Sequence, residues 1–338
     1  MYSTFFGLRE RPFDLTPDPR YLLLTPHHRE ALATLRYGLE SRKGILALTG
    51  EAGTGKTTLL HAALATAGRN GLFVHLTNPR LTREEFLEFL ADAFALSRGA
   101  VSSKARLILD LERVLRERQA AGDPCVLIVD EAQCLPDDLL EEVRLLANIE
   151  TEQTKLLSVI LAGQPELAER LSTVGLRQLK QRVALRCSLA PLELRETAAY
   201  IAGRIRIAGG TAASVFTQDA VRLIHEASRG IPRWINVICD NALVSGFAAD
   251  EKPVGRALVD EVCVDLDLRT GPDNARAPHA PATSAPPAAS RQLDGHAGAV
   301  DGDPGEAEPE VRSAVTAGMR PTLFAQNTPA RRRFHFFS

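Results

Sequence analysis

One loop constrains the fold of this chain more than any other feature. Residues 50–57 read Gly-Glu-Ala-Gly-Thr-Gly-Lys-Thr, a complete G-x-x-x-x-G-K-T pattern. An apolar run over 45–49 precedes the loop, and a helical pattern that begins at Lys56 follows it. Glycines let the backbone curve closely around phosphate oxygens, and the N-terminus of the next helix adds positive potential. The spacing therefore predicts a strand, a phosphate-binding loop and a helix in succession.

The side chains of this loop predict contacts with a nucleotide. Lys56 is expected to reach the β and γ phosphates, and the hydroxyl of Thr57 is expected to bind Mg²⁺. Thr58 is expected to be a helix residue that also touches a phosphate. The predicted cofactors are therefore ATP and Mg²⁺. The predicted nucleotide-binding residues of the loop are Gly50, Glu51, Ala52, Gly53, Thr54, Gly55, Lys56, Thr57 and Thr58.

A second motif contains the acidic groups that ATP hydrolysis needs. Four apolar residues over 126–129 lead directly into Asp130 and Glu131. Asp130 is predicted to hold Mg²⁺ through its water shell, and Glu131 to orient and deprotonate the attacking water. By itself the pattern is also typical of an ordinary strand followed by an acidic loop. Together with the phosphate loop it predicts an ATP hydrolase with Lys56 and Glu131 as catalytic residues.

Apolar runs alternate with amphipathic stretches up to residue 190, which predicts a parallel sheet covered by helices. The runs are almost continuously hydrophobic, as is typical of strands buried on both faces. The predicted strands cover 45–49, 72–77, 126–130, 156–162 and 183–189. The predicted helices between them cover 28–41, 56–68, 83–96, 103–121 and 139–149.

The pattern changes twice toward the C-terminus. After Pro191 the strand-like runs stop, and consecutive helical patterns over 193–208, 217–228, 233–248 and 256–266 predict a small separate domain. From Thr270 onward Ala, Pro, Gly and Ser dominate, a composition that cannot form a packed core. We therefore predict an α/β core over 1–190, a helical lid over 191–268 and a disordered tail over 269–338.

Bulk properties exclude several classes of protein. The formal net charge is −2, so no global positive field attracts nucleic acid or anionic lipid. The five cysteines are scattered without metal-ligand spacing and are expected to be core residues. No apolar run approaches the roughly 20 residues that a bilayer span needs, and the N-terminus lacks a secretory signal pattern. We predict a cytoplasmic protein without a direct membrane span.

Several further segments, taken with these motifs, resemble one family. Together they resemble the AAA+ ATPases of the ExeA/GspA-like branch, over roughly residues 1–268, with transposition ATPases of the TniB/TnsC type as more distant relatives. The segments that carry the resemblance are 6–8 (Phe-Gly-Leu), 12–13 (Pro-Phe), 16–19 (Thr-Pro-Asp-Pro), 28–32 (His-Arg-Glu-Ala-Leu), 163–167 (Gly-Gln-Pro-Glu-Leu) and 230–233 (Gly-Ile-Pro-Arg). The resemblance implies a P-loop NTPase fold, in which a parallel five-stranded α/β/α core carries a small helical lid.

The resemblance also implies roles for residues near the nucleotide. Gln164 corresponds to the first sensor, a polar residue that responds to the γ-phosphate. Arg233 corresponds to the second sensor, a lid arginine that reaches the phosphates. The segment over 5–13 corresponds to the stretch that packs on adenine, together with Ile231 and Pro232 of the lid.

A further implied role connects two subunits. Arg182 resembles an arginine finger that completes the site of a neighbouring subunit, with Arg177 as the alternative. The resemblance thus implies ATP-dependent self-assembly into a ring or filament.

The leading functional hypothesis is an ATPase that drives or regulates assembly of an envelope secretion, pilus or exopolysaccharide system. Secretion-type relatives often continue into a membrane-spanning helix, whereas this chain is predicted to end in a disordered tail. We therefore expect a protein partner at the envelope machinery, with the ATPase cytoplasmic and peripheral at the inner membrane face.

Two alternatives remain open. The first is a DNA-associated ATPase such as a transposition regulator, for which a basic region could contact phosphates. The second is a nucleotide-gated scaffold without turnover, which the intact Glu131 argues against. The residues of the basic region, which could equally form a subunit interface, are Arg177, Lys180, Arg182, Arg186, Arg204 and Arg206.

Overall fold

The structure is a computed structural model that describes residues 1–16, 19–21, 23–68, 70–77, 79–100 and 103–268. The predicted tail over 269–338 lies outside the described residues.

A five-stranded parallel sheet forms the centre of the core. The strand order is β2-β3-β4-β1-β5, so the three strands that carry predicted site residues at their carboxyl ends are neighbours. The strands are β1 (Ile45–Gly50), β2 (Leu72–Leu76), β3 (Cys125–Val129), β4 (Ser158–Gly163) and β5 (Val183–Leu189). The predicted α/β class and the parallel five-stranded sheet are confirmed, and no strand bound differs from the prediction by more than two residues.

Side chains of the central strands pack on both faces of the sheet. In β1, Ile45 and Ala47 belong to one hydrophobic cluster, whereas Leu46 and Leu48 belong to another. Alternate residues of a strand point to opposite faces, so both faces of β1 are buried. This accounts for the continuous apolar runs in the sequence, since a strand covered on both sides has no solvent-facing positions.

Helices cover each face of this sheet. The helices that precede the lid are α1 (Tyr2–Phe6), α2 (Pro26–Glu40), α3 (Lys56–Leu64), α4 (Arg83–Ala93), α5 (Lys104–Ala120), α6 (Asp137–Leu146), α7 (Pro165–Arg170) and α8 (Arg177–Arg182). Helices α2 and α3 share the cluster of Leu46, and α4, α5 and α6 share the cluster of Ile45. The result is the three-layer arrangement that an α/β sequence pattern predicts.

Capping side chains explain where several helices begin. The hydroxyl oxygens of Thr25, Thr82 and Ser103 each accept a hydrogen bond from the backbone N–H three residues later. At α4 the bond is reciprocal, because Glu85 accepts from the backbone N–H of Thr82. Such caps satisfy backbone donors that have no partner inside the helix.

The lid is a four-helix unit with its own apolar core. Its helices are α9 (Leu194–Ile207), α10 (Gln218–Ser228), α11 (Pro232–Ala248) and α12 (Arg256–Asp265). Their inner faces share one hydrophobic cluster that is separate from the two clusters of the sheet. No helix among the described residues has the length and apolar character needed to cross a bilayer.

The N-terminal segment packs on the lid, which differs from our prediction. We assigned residues 1–190 to the core, with 5–13 as its adenine-side segment, but Phe6 and Phe13 are buried in the hydrophobic cluster of the lid. The Phe5 ring lies 5.7 Å from the ring of Phe247, and the Phe13 ring lies 6.2 Å from that of Phe216. The physical reason is that both sheet faces are already covered, whereas the lid helices leave an apolar surface that these aromatic rings fill.

Substitution of Phe6 by Ala tests this packing. Phe6 is 2% exposed, so its removal is expected to leave a cavity and destabilise the lid by about 3–5 kcal/mol. The single tryptophan, Trp234, lies in α11 and reports on lid unfolding, so the measurement is urea denaturation followed by tryptophan fluorescence. Phe247→Ala is the matched control and is expected to cost less, because Phe247 is 41% exposed. Equal midpoints for Phe6→Ala and the unaltered protein would contradict the assignment.

Candidate nucleotide-binding site

The phosphate loop follows β1 and leads directly into α3. Gly53 and Gly55 have φ angles of 84° and 97°, in the left-handed region that glycine adopts without steric cost. The Lys56 ammonium donates to the carbonyl oxygens of Gly50 at 2.8 Å and of Glu51 at 3.1 Å. Burial lowers the pKa of Lys56, against the opposing effect of the Glu131 charge. The loop therefore wraps its own lysine at the start of the helix.

Thr57 and Asp130 lie together, as the sequence predicts for an Mg²⁺ site. The Thr57 hydroxyl donates to Asp130 Oδ2 at 3.2 Å, and Asp130 immediately follows β3. Among the described residues no group of three or more His, Cys, Asp and Glu side chains is arranged to hold a metal. A pair of oxygen ligands fits Mg²⁺, which is usually held by one or two protein oxygens together with phosphates and water.

The Glu131 carboxylate is held by two amide side chains. Its Oε2 accepts from Gln133 Nε2 at 2.5 Å and from Gln164 Nε2 at 3.2 Å. Burial raises the pKa of Glu131, but the two amide hydrogen bonds and the Lys56 charge together lower the pKa below its usual value. The carboxylate is therefore ionised at neutral pH, the state that a general base requires.

Gln133 is a site residue that the sequence analysis missed. Its Oε1 accepts from the backbone N–H of Gln164 at 3.0 Å, so it bridges the ends of β3 and β4. Glu131 itself has a φ of 50°, a left-handed conformation that non-glycine residues seldom adopt. The only sequence signal for Gln133 was its position two residues after the acidic pair.

The lid contacts the phosphate loop directly. The backbone N–H of Arg233 donates to the Gly53 carbonyl at 3.2 Å. A Cβ atom placed on Gly53 would lie 2.6 Å from Arg233 Cβ, so only glycine permits this approach. Pro232 is the first residue of α11, where its fixed φ favours helix initiation. The contact brings Pro232 and Arg233 to the same site as the core residues.

One cavity of about 420 Å³ lies between the core and the lid. The predicted residues that line it are Ala52, Gly53, Thr54, Gly55, Lys56, Thr57, Thr58, Asp130, Glu131, Pro232 and Arg233. Lining residues that the sequence analysis did not assign to the site are Asp14, Leu15, Thr16, Tyr21, Leu23, His28, Tyr200, Arg204 and Asn236.

Other predicted residues lie outside that lining. The backbone carbonyls of Gly50 and Glu51 accept hydrogen bonds from Lys56 instead. The Gln164 side chain donates a hydrogen bond to Glu131. The aromatic residues of the segment over 5–13 are not in the lining, because they fill the lid core. Five described residues that follow this segment line the cavity instead: Asp14, Leu15, Thr16, Tyr21 and Leu23.

A larger cavity of about 800 Å³ adjoins the first and shares Leu23 and Tyr200 with it. It lies between α9 and the residues that lead into α2. It contains none of the phosphate-loop residues, so the smaller cavity is the candidate nucleotide site.

Arg182 and Arg177 do not reach the nucleotide cavity of their own chain. They are the last and first residues of α8, and both are exposed. Neither lines the cavity. Both side chains are accessible to solvent in this position.

The predicted basic region is incomplete. Arg177, Arg182, Arg186 and Arg206 are exposed, but Arg204 is 5% exposed and lines the nucleotide cavity. Arg204 therefore cannot serve as a surface contact for DNA. The reason is that it lies on the inner face of α9, where the sequence pattern alone did not separate it from its neighbour Arg206.

Known proteins resemble this chain in sequence and in fold. Residues 39–171 match the model of the AAA domain family. Over 249 residues the chain is 44% identical to General secretion pathway protein A of Aeromonas hydrophila, a match that covers 73% of this chain and 45% of that protein. By this match, residues 39–171 form an AAA domain. The chain has the P-loop fold of AAA proteins, and the match spans less than half the length of the secretion-pathway relative.

Solved structures share the fold at low sequence identity. The Aeropyrum pernix ORC2 protein superposes with a TM-score of 0.57 at 18% identity, covering 77% of this chain and 72% of that one. Drosophila ORC bound to DNA superposes with a TM-score of 0.54 at 20% identity, covering 76% and 64%. These matches confirm the predicted P-loop architecture of the AAA chain, with its sheet and its helical lid.

His28 supports the phosphate loop from α2. Its Nε2 lies 3.2 Å from the Thr54 carbonyl, and its Nδ1 lies 2.8 Å from the Thr25 hydroxyl. His28 is buried, and burial lowers the pKa of its imidazole. The folded protein therefore holds His28 neutral more strongly than the unfolded chain does.

This difference predicts a pH-dependent stability. The unfolded chain binds a proton at His28 near its ordinary pKa of about 6.5, whereas the folded state resists that proton. As the pH falls through about 6.5, the melting temperature is expected to drop, and the loss should be smaller in His28→Gln, whose amide does not titrate. The measurement is thermal unfolding by circular dichroism across that pH range. An identical pH slope in both proteins would remove His28 from the explanation.

Proposed function

We propose that this chain binds ATP with Mg²⁺ and hydrolyses it in the cavity between core and lid. One observation carries the proposal. The phosphate loop, the Thr57–Asp130 pair and a Glu131 carboxylate fixed by two amides all converge on that cavity. A protein that only binds ATP has no need of an oriented, ionised carboxylate beside the phosphates.

Each core side chain has a separate part in this reaction. The Lys56 ammonium is directed at the β and γ phosphates, where it leaves the carbonyls of Gly50 and Glu51 for charged oxygens. Thr57 and Asp130 would hold Mg²⁺, which supplies charge neutralisation at the phosphates. Glu131 orients the attacking water and accepts its proton.

Gln164 connects the phosphate to the base. The Gln164 side chain donates to Glu131, and its backbone N–H donates to Gln133. A shift of the Gln164 side chain toward the γ-phosphate would therefore change the hydrogen bond that holds the Glu131 carboxylate. This is a physical route by which a first sensor couples nucleotide state to catalysis. Arg233 performs the corresponding role on the lid side, because its backbone is already bonded to Gly53.

Self-assembly completes the proposed site. Arg182 is exposed at the end of α8 and does not line its own cavity, which supports a role at the site of a neighbouring subunit. An arginine supplied in trans stabilises the charge of the transition state and accelerates hydrolysis by orders of magnitude. We therefore propose an ATP-dependent ring or filament with low activity in the monomer.

The similarity to the secretion-pathway relative supports a proposal for the cellular role. General secretion pathway protein A is named for a secretion pathway, and the match covers 73% of this chain. We propose that the ATPase drives or regulates assembly of an envelope secretion, pilus or exopolysaccharide system through a protein partner. It would act from the cytoplasm at the inner membrane face.

Glu131→Gln tests the hydrolytic assignment. The amide keeps the size of the side chain but cannot accept a proton, so hydrolysis is expected to fall by about 10²- to 10⁴-fold while ATP binding persists. Phosphate release and fluorescent-nucleotide binding measure the two properties separately. Glu152→Gln, at an exposed position, is the control and should leave both unchanged. Full activity in Glu131→Gln would overturn the assignment.

Mixing two inactive variants tests the interface site. Arg182→Ala keeps an intact pocket but offers no finger, whereas Lys56→Ala offers a finger but has a defective pocket. Each is expected to be inactive alone, and an equimolar mixture should recover a substantial fraction of the activity, since Lys56→Ala subunits complete the Arg182→Ala sites. Arg177→Ala is the matched control. If the Arg177 variant behaves in this way and the Arg182 variant does not, Arg177 is the finger; if no mixture recovers, the site is not shared.

A further inference from the structure

Arg170, the last residue of α7, binds the loop that follows the acidic pair. One terminal nitrogen of its guanidinium donates to the backbone carbonyl oxygen of Gln133 and, at 2.8 Å, to that of Leu135. The other terminal nitrogen pairs with the carboxylate of Asp137, the first residue of α6. The guanidinium thus fixes three points of the loop that leads from Glu131 to α6.

Helix α7 holds Arg170 in place. Leu167 of this helix is fully buried, and Leu171, the residue that follows the helix, is 1% exposed. Both belong to the hydrophobic cluster of Ile45. The Arg170 side chain is 29% exposed, so its hydrogen bonds to the loop are partly sheltered from water. Hydrogen bonds from a charged donor are stronger than those between neutral groups, which makes Arg170 an effective restraint on the loop.

Gln133 connects this loop to the Glu131 carboxylate. Its Nε2 donates to Glu131 Oε2 at 2.5 Å, and its Oε1 accepts from the backbone N–H of Gln164 at 3.0 Å. A Cβ atom placed on Gly163 would lie 2.6 Å from Gln133 Oε1, so a side chain at the end of β4 would displace the amide. The direction of the Gln133 side chain depends on the Gln133 backbone, whose carbonyl is bound by Arg170.

The backbone around Glu131 needs such a restraint. Glu131 has a φ of 50°, and a left-handed conformation of a non-glycine residue persists only where surrounding contacts fix it. The residues that follow, Ala132–Cys134, form a single 3₁₀ turn, an element with weaker hydrogen-bond geometry than an α-helix. The loop therefore depends on side-chain contacts from outside itself, and Arg170 supplies them.

Both ends of α7 connect to this same loop. At the first end, the Gln164 side chain donates to Glu131 and the Gln164 backbone donates to Gln133. At the other end, Arg170 donates to the carbonyls of Gln133 and Leu135. A helix attached at both ends restricts the motion of the loop more than the Gln164 contacts would alone.

We propose that Arg170 is a positioning residue for ATP hydrolysis, which orients the Glu131 carboxylate through Gln133. This inference rests on the proposed function and assigns a part in it to a residue that does not line the nucleotide cavity. Arg170 fixes the Gln133 backbone, and the Gln133 amide fixes the carboxylate that accepts a proton from water. A misplacement of a catalytic group by about 1 Å is enough to slow a reaction on the order of 100-fold.

Steady-state kinetics of Arg170→Met in the full chain tests the proposal. Methionine keeps an unbranched apolar stem but has no donor, so kcat for ATP hydrolysis is expected to fall by roughly 10- to 100-fold. The affinity for fluorescent ATP with Mg²⁺ should stay within about twofold, because Arg170 does not bind the nucleotide. Arg170→Lys keeps the charge and part of the donor set, and it should recover part of the lost rate.

Arg144→Met is the matched control. Arg144 is also a partly buried arginine that pairs with a carboxylate, but its partner Glu141 belongs to its own helix, α6. Its substitution therefore removes a comparable ion pair without releasing the loop. Both kcat and nucleotide affinity are expected to equal those of the unaltered protein.

A double-substitution cycle with Gln133→Ala separates positioning from general support of the fold. If Arg170 acts through Gln133, the double variant should hydrolyse ATP within about twofold of the rate of Gln133→Ala alone, because the connection is already broken. If Arg170 only supports the fold, the two losses of rate multiply. Sedimentation velocity with ATP and Mg²⁺ compares the assembly of each variant, and thermal unfolding checks its folding.

Several outcomes would overturn the proposal. They are an unchanged kcat in Arg170→Met, losses that multiply in the double variant, a loss of nucleotide affinity as large as the loss of rate, and a loss of assembly that accounts for the rate. Failure of the unaltered protein to hydrolyse ATP would instead overturn the proposed function itself. If Arg170→Met does not fold, the cycle is made with Arg170→Lys, which must show the same absence of a further loss when combined with Gln133→Ala.

Discussion

The hydrogen bond between Gly53 and Arg233 is the contact on which the site depends. It joins the phosphate loop of the core to the first turn of α11, and it exists only because Gly53 has no Cβ to meet Arg233 at 2.6 Å. Through it the lid becomes one wall of the cavity that contains Lys56. Lid position and loop conformation are therefore coupled by a direct backbone contact, without a chain of intermediate side chains.

Parts of this arrangement were predictable from the sequence. The loop over 50–57 and the pair Asp130 and Glu131 have spacing and residue types dictated by phosphate and Mg²⁺ chemistry, so they could be placed at the carboxyl edge of a parallel sheet. The sheet was predictable because strands buried on both faces are almost wholly apolar. These signals are local in sequence, and the structure brings them together as expected.

Other parts were not predictable, and the reason is that they depend on contacts between distant segments. The segment over 1–13 contains several aromatic residues, which indicates that it is buried but does not indicate the domain on which it packs. Arg204 stands beside other arginines in the sequence, and only the packing of α9 shows that it faces inward. Gln133 is an ordinary polar residue until the end of β4 is placed next to it. Burial partners and helix faces are tertiary information, and one sequence contains little of it.

The packing of residues 1–13 on the lid changes how the two domains can move. The chain starts in the lid, passes into the core at α2, and returns to the lid at α9, so two separate peptide connections cross the cleft. A domain attached by a single linker can swing and twist about many axes. Two connections restrict the rotation of the lid relative to the core more than one connection would. The path of the backbone therefore limits the directions in which lid and core can move relative to one another, independently of any ligand in the cavity.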